Sequence, residues 1–252
     1  MTSTPSDLPA TMLSTSKRAL RSALKKTIKT IPPTSIASQS QTVYQTLLTL
    51  PEYTTSQSLS IFLSMPSTEI QTTPLVRHAL ESGKRVYVPY IRPPPRIADD
   101  APPAAPAPGV MDMLSLSSIA DLESLSRDSW GIPTIPEESV DNRRNVIDEM
   151  IRARECGREV EGLDLVVMPG LGFDTRRNRI GYGKGFYDFW LERYRVRGLG
   201  RVEGEGEERR RGMPRLVAVA LGEQVLEEGA IPVGEKDWKV DVLVVGDGRV
   251  IR

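Results

Sequence analysis

The chain has 252 residues, 39% of them apolar and 26% charged, which is enough for one large domain or two small ones with a core. Lys plus Arg and Asp plus Glu number 33 each, so no global charge draws the protein to nucleic acid or an anionic membrane, and affinity for anions has to be local. The single cysteine, Cys156, excludes an internal disulfide and a multi-cysteine zinc site, and no apolar run approaches the ~20 residues that span a bilayer.

Residues 1–15 hold Asp7, no basic residue and no apolar core of a secretory signal, so they read as a flexible tail before a domain at 16–252. "SKRALRSALKKTIKTI" (16–31) predicts a helix with Ser16 as N-cap and a buried stripe of Leu20, Leu24, Thr27, Ile28 and Ile31. Lys17 and Arg21 fall beside that stripe, while Arg18, Lys26 and Lys29 point away. The same basic helix resembles a mitochondrial presequence in composition, so the expected location is the cytoplasm with room for a mitochondrial pool.

A second helix is expected over 35–49, before Pro51. "LSIFLSM" (59–65) reads as a strand, "TTPLVRHALESGK" as a helix closed by Gly83, and "RVYVPYI" as the next strand, the unit of a parallel sheet. His78 lies in that helix with no motif around it and is taken as structural. "VMDMLSL" adds a strand, and "LDLVVMP" is the apolar run of a central one. Residues 186–197 read as helix, and "RLVAVAL" and "VDVLVV" as two further strands. The sum is a three-layer single α/β domain, a mostly parallel sheet with helices on both faces. The Pro/Ala-rich stretch at 92–109 and the glycine- and charge-rich stretch at 197–214 read as disordered, solvated insertions. The run Arg209-Arg210-Arg211 is offset by the acids before it.

"MPGLGFDTRRNRIGYGKGFYDFW" (168–190) carries the chemistry. A buried strand ends at Pro169-Gly170, where an open parallel sheet places its ligands. The loop then passes Arg176, Arg177 and Arg179 into Gly181-Tyr182-Gly183-Lys184-Gly185 and a helix near Phe186. Glycines let a backbone approach a ligand closely, and successive N–H groups before a helix N-terminus make an anion site. Lys184 and Arg179 add full charges, which suits a polyphosphate. The stretch is not a Walker A loop, since Gly185 follows Lys184, nor a Rossmann fingerprint, since its third glycine comes early. Asp188, on the first helical turn, is a candidate Mg2+ ligand.

At these residues the chain resembles the 5-formyltetrahydrofolate cyclo-ligase (5,10-methenyltetrahydrofolate synthetase) family. "KRALR" (17–21) is similar to that family's N-terminal helix start, "SIFLSMPSTEIQT" (60–72) to its strand and following glutamate, "SWGIP" (129–133) to its tryptophan turn, and "EKDWKVD" (235–241) to the motif before its last strand. The resemblance implies the fold group of sugar-phosphate isomerases and CoA transferases. It also implies ATP- and Mg2+-dependent closure of 5-formyltetrahydrofolate to 5,10-methenyltetrahydrofolate through an iminium phosphate, with release of ADP and phosphate, by a monomer. It assigns ATP to Lys17, Arg18, Arg21, Arg179, Ile180, Gly181, Tyr182, Gly183, Lys184, Gly185, Phe186 and Tyr187, with Lys184, Arg179 and Tyr187 as the catalytic set. Folate falls to Leu63, Glu69, Trp130 and residues 182–186, and the metal to Asp188 and Asp237. Tyr182 stands where some members carry Arg, and Phe186 where Tyr is common. A catalytically inactive folate or nucleotide binder is the alternative; an isomerase-like enzyme would need no ATP.

Overall fold

The computed structural model describes residues 10–92, 109–200, 210 and 212–252. Helix α1 (Ala10–Lys29) starts well before Ser16, which is an interior helical residue and not the expected cap. Ala, Met and Leu are good helix formers and carry the helix back into the expected tail. Leu24, Ile28 and Ile31 are buried. Thr27, expected in the same stripe, is exposed and turns its hydroxyl back onto the Ala23 carbonyl at 3.4 Å. Lys17 and Arg21 are half-buried, while Arg18, Lys26 and Lys29 are exposed, as the wheel predicts.

Helix α2 (Pro33–Thr49) begins on a proline, which lacks the N–H that a first helical turn leaves unused. Helix α3 (Pro51–Thr54) follows at once. Strand β1 spans Ser58–Ile61, shorter than the 59–65 expected. The chain leaves the ladder at Phe62, whose carbonyl accepts a 2.5 Å bond from the Thr72 hydroxyl. Helix α4 (Thr73–Glu81), β2 (Arg85–Arg92) and β3 (Val110–Leu116) come next. Helix α5 (Ile119–Ser124) is capped by Ser118. The short strands β4 (Ser126–Arg127) and β5 (Pro133–Thr134) pair about the tryptophan turn. Helix α6 (Val146–Glu155) leads to β6 (Leu165–Met168), β7 (Gly172–Asp174), β8 (Arg179–Ile180) and helix α7 (Phe186–Arg193), which widens into a π turn at Tyr194–Gly198. Strands β9 (Arg215–Ala220), β10 (Val225–Leu226), β11 (Val242–Val245) and β12 (Val250–Ile251) complete the chain.

Seven strands form one sheet in the order β12-β11-β9-β6-β1-β2-β3. Its inner strands are parallel, and β3 and β12 close the two edges antiparallel. Side chains alternate between two cores. Leu59, Ile61, Leu165, Val167, Val217, Val219, Val242 and Val244 face α1, α2 and α4. Val166, Met168, Leu216, Ala218, Ala220, Leu243 and Val245 face α6 and α7. Burial on both faces is why these strands are apolar throughout. The three-layer mostly parallel arrangement expected from the sequence is therefore present. The expected insertions at 92–109 and 197–214 lie largely outside the described residues. No helix among the described residues is long and apolar enough to cross a membrane.

Candidate active site

Strands β1 and β6 are neighbours at the sheet's centre, yet the chain runs from β1 toward β2 on one side and from β6 toward β9 on the other. Ligands bind outside the carboxyl ends of strands at such a reversal. Here the loop after β1 carries Leu63 and Glu69, and the loop after β6 carries the glycine stretch. The second loop is braced first. Strands β7 and β8 form a hairpin within a small sheet of order β10-β7-β8. Asp174, fully buried, accepts from the Asn178 backbone N–H and side-chain amide, each at 2.9 Å. Arg177 sits in the turn at φ 67° and donates to the Asp241 carbonyl at 2.7 Å. Arg176 pairs with Glu228. Two of the loop's three arginines are thus structural.

The third is the hub. Arg179 is almost fully buried, donates to Asp188 Oδ2 at 2.9 Å and to the Pro169 carbonyl at 3.4 Å, and lies 5.4 Å from the centre of the Tyr187 ring. Its Nε–H has no acceptor among the described residues, a condition worth about 1–3 kcal/mol to relieve. Arg21 donates to the Gly181 carbonyl at 2.9 Å and its guanidinium packs on Gly183. Gly183 (φ +100°) and Gly185 (φ +70°) hold left-handed conformations that favour glycine. Gly185 is the N-cap of α7 and supplies no capping side chain, so the first N–H groups of the helix remain available to an anion. Lys184, between them, is exposed and pairs with no acid among the described residues.

The two expected metal ligands flank one turn. Asp188 Oδ1 accepts from the Trp238 N–H at 3.0 Å. Asp237 Oδ2 accepts from the Gly234 N–H at 2.6 Å and from Lys17 Nζ at 2.5 Å. Each carboxylate thus rests on a cation from a different element. The structure brings Lys17, Arg21, Arg179, Gly181, Gly183, Tyr187, Asp188 and Asp237 together. Ile180 is buried, and Phe186, the first residue of α7, is half-buried. Arg18 is exposed and makes none of these contacts.

The other wall is apolar with one acid. Leu63 and Glu69 are buried. Glu69 accepts from the Met65 N–H at 2.6 Å. Burial raises the Tyr182 phenol to about 12, and the Glu69 charge adds to the rise. Trp130 is 70% exposed, and its turn packs Gly131 against Pro66 of the same wall. Asp174 and Gln224, which clamps the Gly170 carbonyl at 2.8 Å, escaped the reading of the sequence because no motif marks a buried brace. Lys25 escaped it too, although its spacing from Lys17 and Arg21 was a legible signal.

Burial raises the Glu69 carboxyl to about 7, against a partial counter-effect from the Met65 N–H. Burial likewise lifts the Tyr187 phenol well above its ordinary value, with Arg179 pulling it down and Glu69 adding to the rise. The Tyr187 phenol is thus held in its protonated form, with its ring beside the Arg179 guanidinium. For Glu69, an unfolded value of 4.5 and a folded one of about 7 mean that the native state holds the proton more tightly. The stability this contributes is complete below the unfolded value and lost as pH rises through the folded one. Glu69→Gln is expected to flatten the fall in urea midpoint over that window; parallel curves for variant and wild type would refute a buried ionisable carboxyl.

Residues 13–246 match the model of the 5-formyltetrahydrofolate cyclo-ligase family. The chain is 30% identical to the 5-formyltetrahydrofolate cyclo-ligase of Mus musculus, covering 95% of this chain and 98% of that protein. It is 28% identical to a probable 5-formyltetrahydrofolate cyclo-ligase of Schizosaccharomyces pombe, over 95% and 99%. Among solved structures, the 5,10-methenyltetrahydrofolate synthetase of Aquifex aeolicus superposes with a TM-score of 0.58 at 26% identity, over 94% and 92% of the two chains. The match runs through both walls of the cleft, from α1 to the turn that carries Asp237, and the chain belongs to the 5-formyltetrahydrofolate cyclo-ligase family of enzymes.

Proposed function

We propose that the protein converts 5-formyltetrahydrofolate to 5,10-methenyltetrahydrofolate with ATP as co-substrate and Mg2+ as the metal. The observation that carries this reading is the convergence of Lys17, Arg21, Arg179, Asp188 and Asp237 on one glycine loop, beside a cleft wall holding a buried carboxyl. The names of the relatives fit it: that of the mouse protein states the substrate and that of the Aquifex protein the product.

The chain's residues suit each part. The loop N–H groups, Lys184 and the unused Nε–H of Arg179 offer donors to phosphate oxygens. Asp188 and Asp237 are hard oxygen donors of the number that magnesium takes alongside phosphates, and they would hold it. Polyphosphate would draw Lys17 and Arg179 from these carboxylates, so the ion pairs of the protein exchange for contacts with ligand and metal. The metal, when bound, neutralises phosphate charge. Glu69 accepts hydrogen bonds from the pterin's amino and ring N–H groups, with Leu63 and the exposed Trp130 ring as apolar contacts. The formyl oxygen attacks the γ-phosphorus and ADP departs. N10 then closes on the formyl carbon of the resulting iminium phosphate, the C–O bond breaks so that phosphate leaves with the oxygen, and the N10 proton passes to the departing phosphate. The protein's contribution is alignment and charge neutralisation. We place the enzyme in the cytoplasm; the name of the Arabidopsis thaliana relative places that protein in mitochondria.

Mixing the protein with 5-formyltetrahydrofolate and Mg2+ is expected to raise absorbance in the methenyl-folate band only when ATP is added. Folate binding without that rise would instead indicate a non-catalytic binder. Lys184→Ala is expected to lower kcat about 100-fold or more with an unchanged circular dichroism spectrum; unaltered turnover would remove Lys184 from the phosphate site. Asp188→Asn is expected to raise the Mg2+ concentration for half-maximal rate about tenfold or more, and a superimposable Mg2+ titration would exclude Asp188 as a ligand.

A further inference from the structure

Strands β6 and β9 lie side by side and run parallel, so the chain leaves both at the same end of the sheet. Gln224 bridges those two exits. It ends the turn that follows β9, just before β10, and is 1% exposed. Its Oε1 accepts from the Leu221 N–H at 2.8 Å, and its Nε2 donates to the Gly170 carbonyl at 2.8 Å and to the Leu171 carbonyl at 3.3 Å. An N–H must meet the oxygen and carbonyls must meet the nitrogen, so the amide has one orientation. The backbone it grips needs such a hold. At Gly170 an added Cβ would come within 2.4 Å of the Phe173 ring, so only glycine fits, and glycine leaves its own peptide planes free to turn. Immediately before it, the Pro169 carbonyl accepts from Arg179 Nη1 at 3.4 Å, while Nη2 meets Asp188. A guanidinium is planar, so those two contacts aim the third donor, the Nε–H, which has no acceptor among the described residues.

We propose that Gln224 is a positioning residue for phosphoryl transfer: its buried amide fixes the Pro169–Leu171 backbone and, through the Pro169 carbonyl, aims the Arg179 Nε–H at the transferring phosphate. This deepens the functional reading given above and rests on it. Gln224 acts from behind the loop, so its loss leaves every donor of the site in place and changes only their aim. Nucleotide binding tolerates a small error of aim better than the transition state does, because the strongest contacts form only there. A glutamate at this position is nearly isosteric and separates the two halves of the amide's task. Protonated, it keeps a donor for the Gly170 carbonyl and an acceptor for the Leu221 N–H; ionised, it sets a negative charge against two carbonyl oxygens. Burial and those carbonyls push such a carboxyl above its ordinary range.

The test measures kcat and the KM for ATP and for 5-formyltetrahydrofolate in wild type, Gln224→Met and Gln224→Glu from about pH 6 to about pH 9, with the uncatalysed rate subtracted. Wild-type turnover tests the functional reading by itself; its absence overturns that reading and this one together. With wild type active, Gln224→Met is expected to lower kcat about 30-fold at every pH and to change either KM by less than about threefold. Gln224→Glu is expected to match wild type within about threefold at the acid end and to fall toward Gln224→Met as pH rises. The readout is the ratio to wild type, because Glu69 titrates in all three proteins. In an Arg179→Lys background, Gln224→Met is expected to lower kcat by less than about threefold further, since the two residues act through one contact. Unchanged kcat in Gln224→Met, a loss in Gln224→Glu that ignores pH, an effect confined to KM, or a full further loss in the Arg179→Lys background would each overturn the proposal. Loss of the native circular dichroism spectrum in both Gln224 variants would make the residue a brace of the fold alone and overturn it as well.

Discussion

The candidate site hangs on the burial of one guanidinium. Arg179 joins the end of the central strand at Pro169, the first turn of α7 at Asp188 and the face of Tyr187, so three elements are registered by a single planar group. A buried charge is tolerated only when paired, and Asp188 meets that demand while its other oxygen fastens the 234–238 turn through the Trp238 N–H. The geometry of the glycine loop, the direction of α7 and the position of Asp237 all follow from placing that one cation out of water. Lysine could not do the same work, because it lacks the fork that reaches a carbonyl and a carboxylate at once.

The sheet supplies the other constraint. Because β1 and β6 lie side by side while their successors diverge, the two loops that leave their carboxyl ends stand next to each other at the same end of the sheet. One wall is charged and built of backbone N–H groups and cations. The opposite wall is apolar, with burial lifting the Glu69 carboxyl to about 7. A ligand with a phosphate end and a heterocyclic end has one orientation in which both walls are satisfied.

Much of this was legible in the sequence because it rests on local signals. Continuous apolar runs mark strands buried on both faces, and the helical wheel separates Lys17 and Arg21 from Arg18. The glycine spacing marks the loop that runs from β8 into the N-terminus of α7. What was not legible depends on contacts between distant residues. Ser16 is a good capping residue by composition, yet the preceding residues extend the helix past it. Strand β1 stops early because Thr72 captures the Phe62 carbonyl from a loop ten residues on. The braces Asp174 and Gln224 are ordinary polar residues until the fold buries them, and the tie of Lys17 to Asp237 cannot be read from either residue's neighbours.

That tie has a consequence for how the protein matures. Lys17 and Asp237 lie 220 positions apart, so the two partners leave the ribosome far apart in time. Strands β1, β2, β3 and β6 and the helices between them can assemble on the ribosome while the carboxylate partner of α1 does not yet exist. Contacts of such separation carry a high entropic cost before they form. The tie between Lys17 and Asp237 therefore forms late, together with the strand β11 that directly follows Asp237.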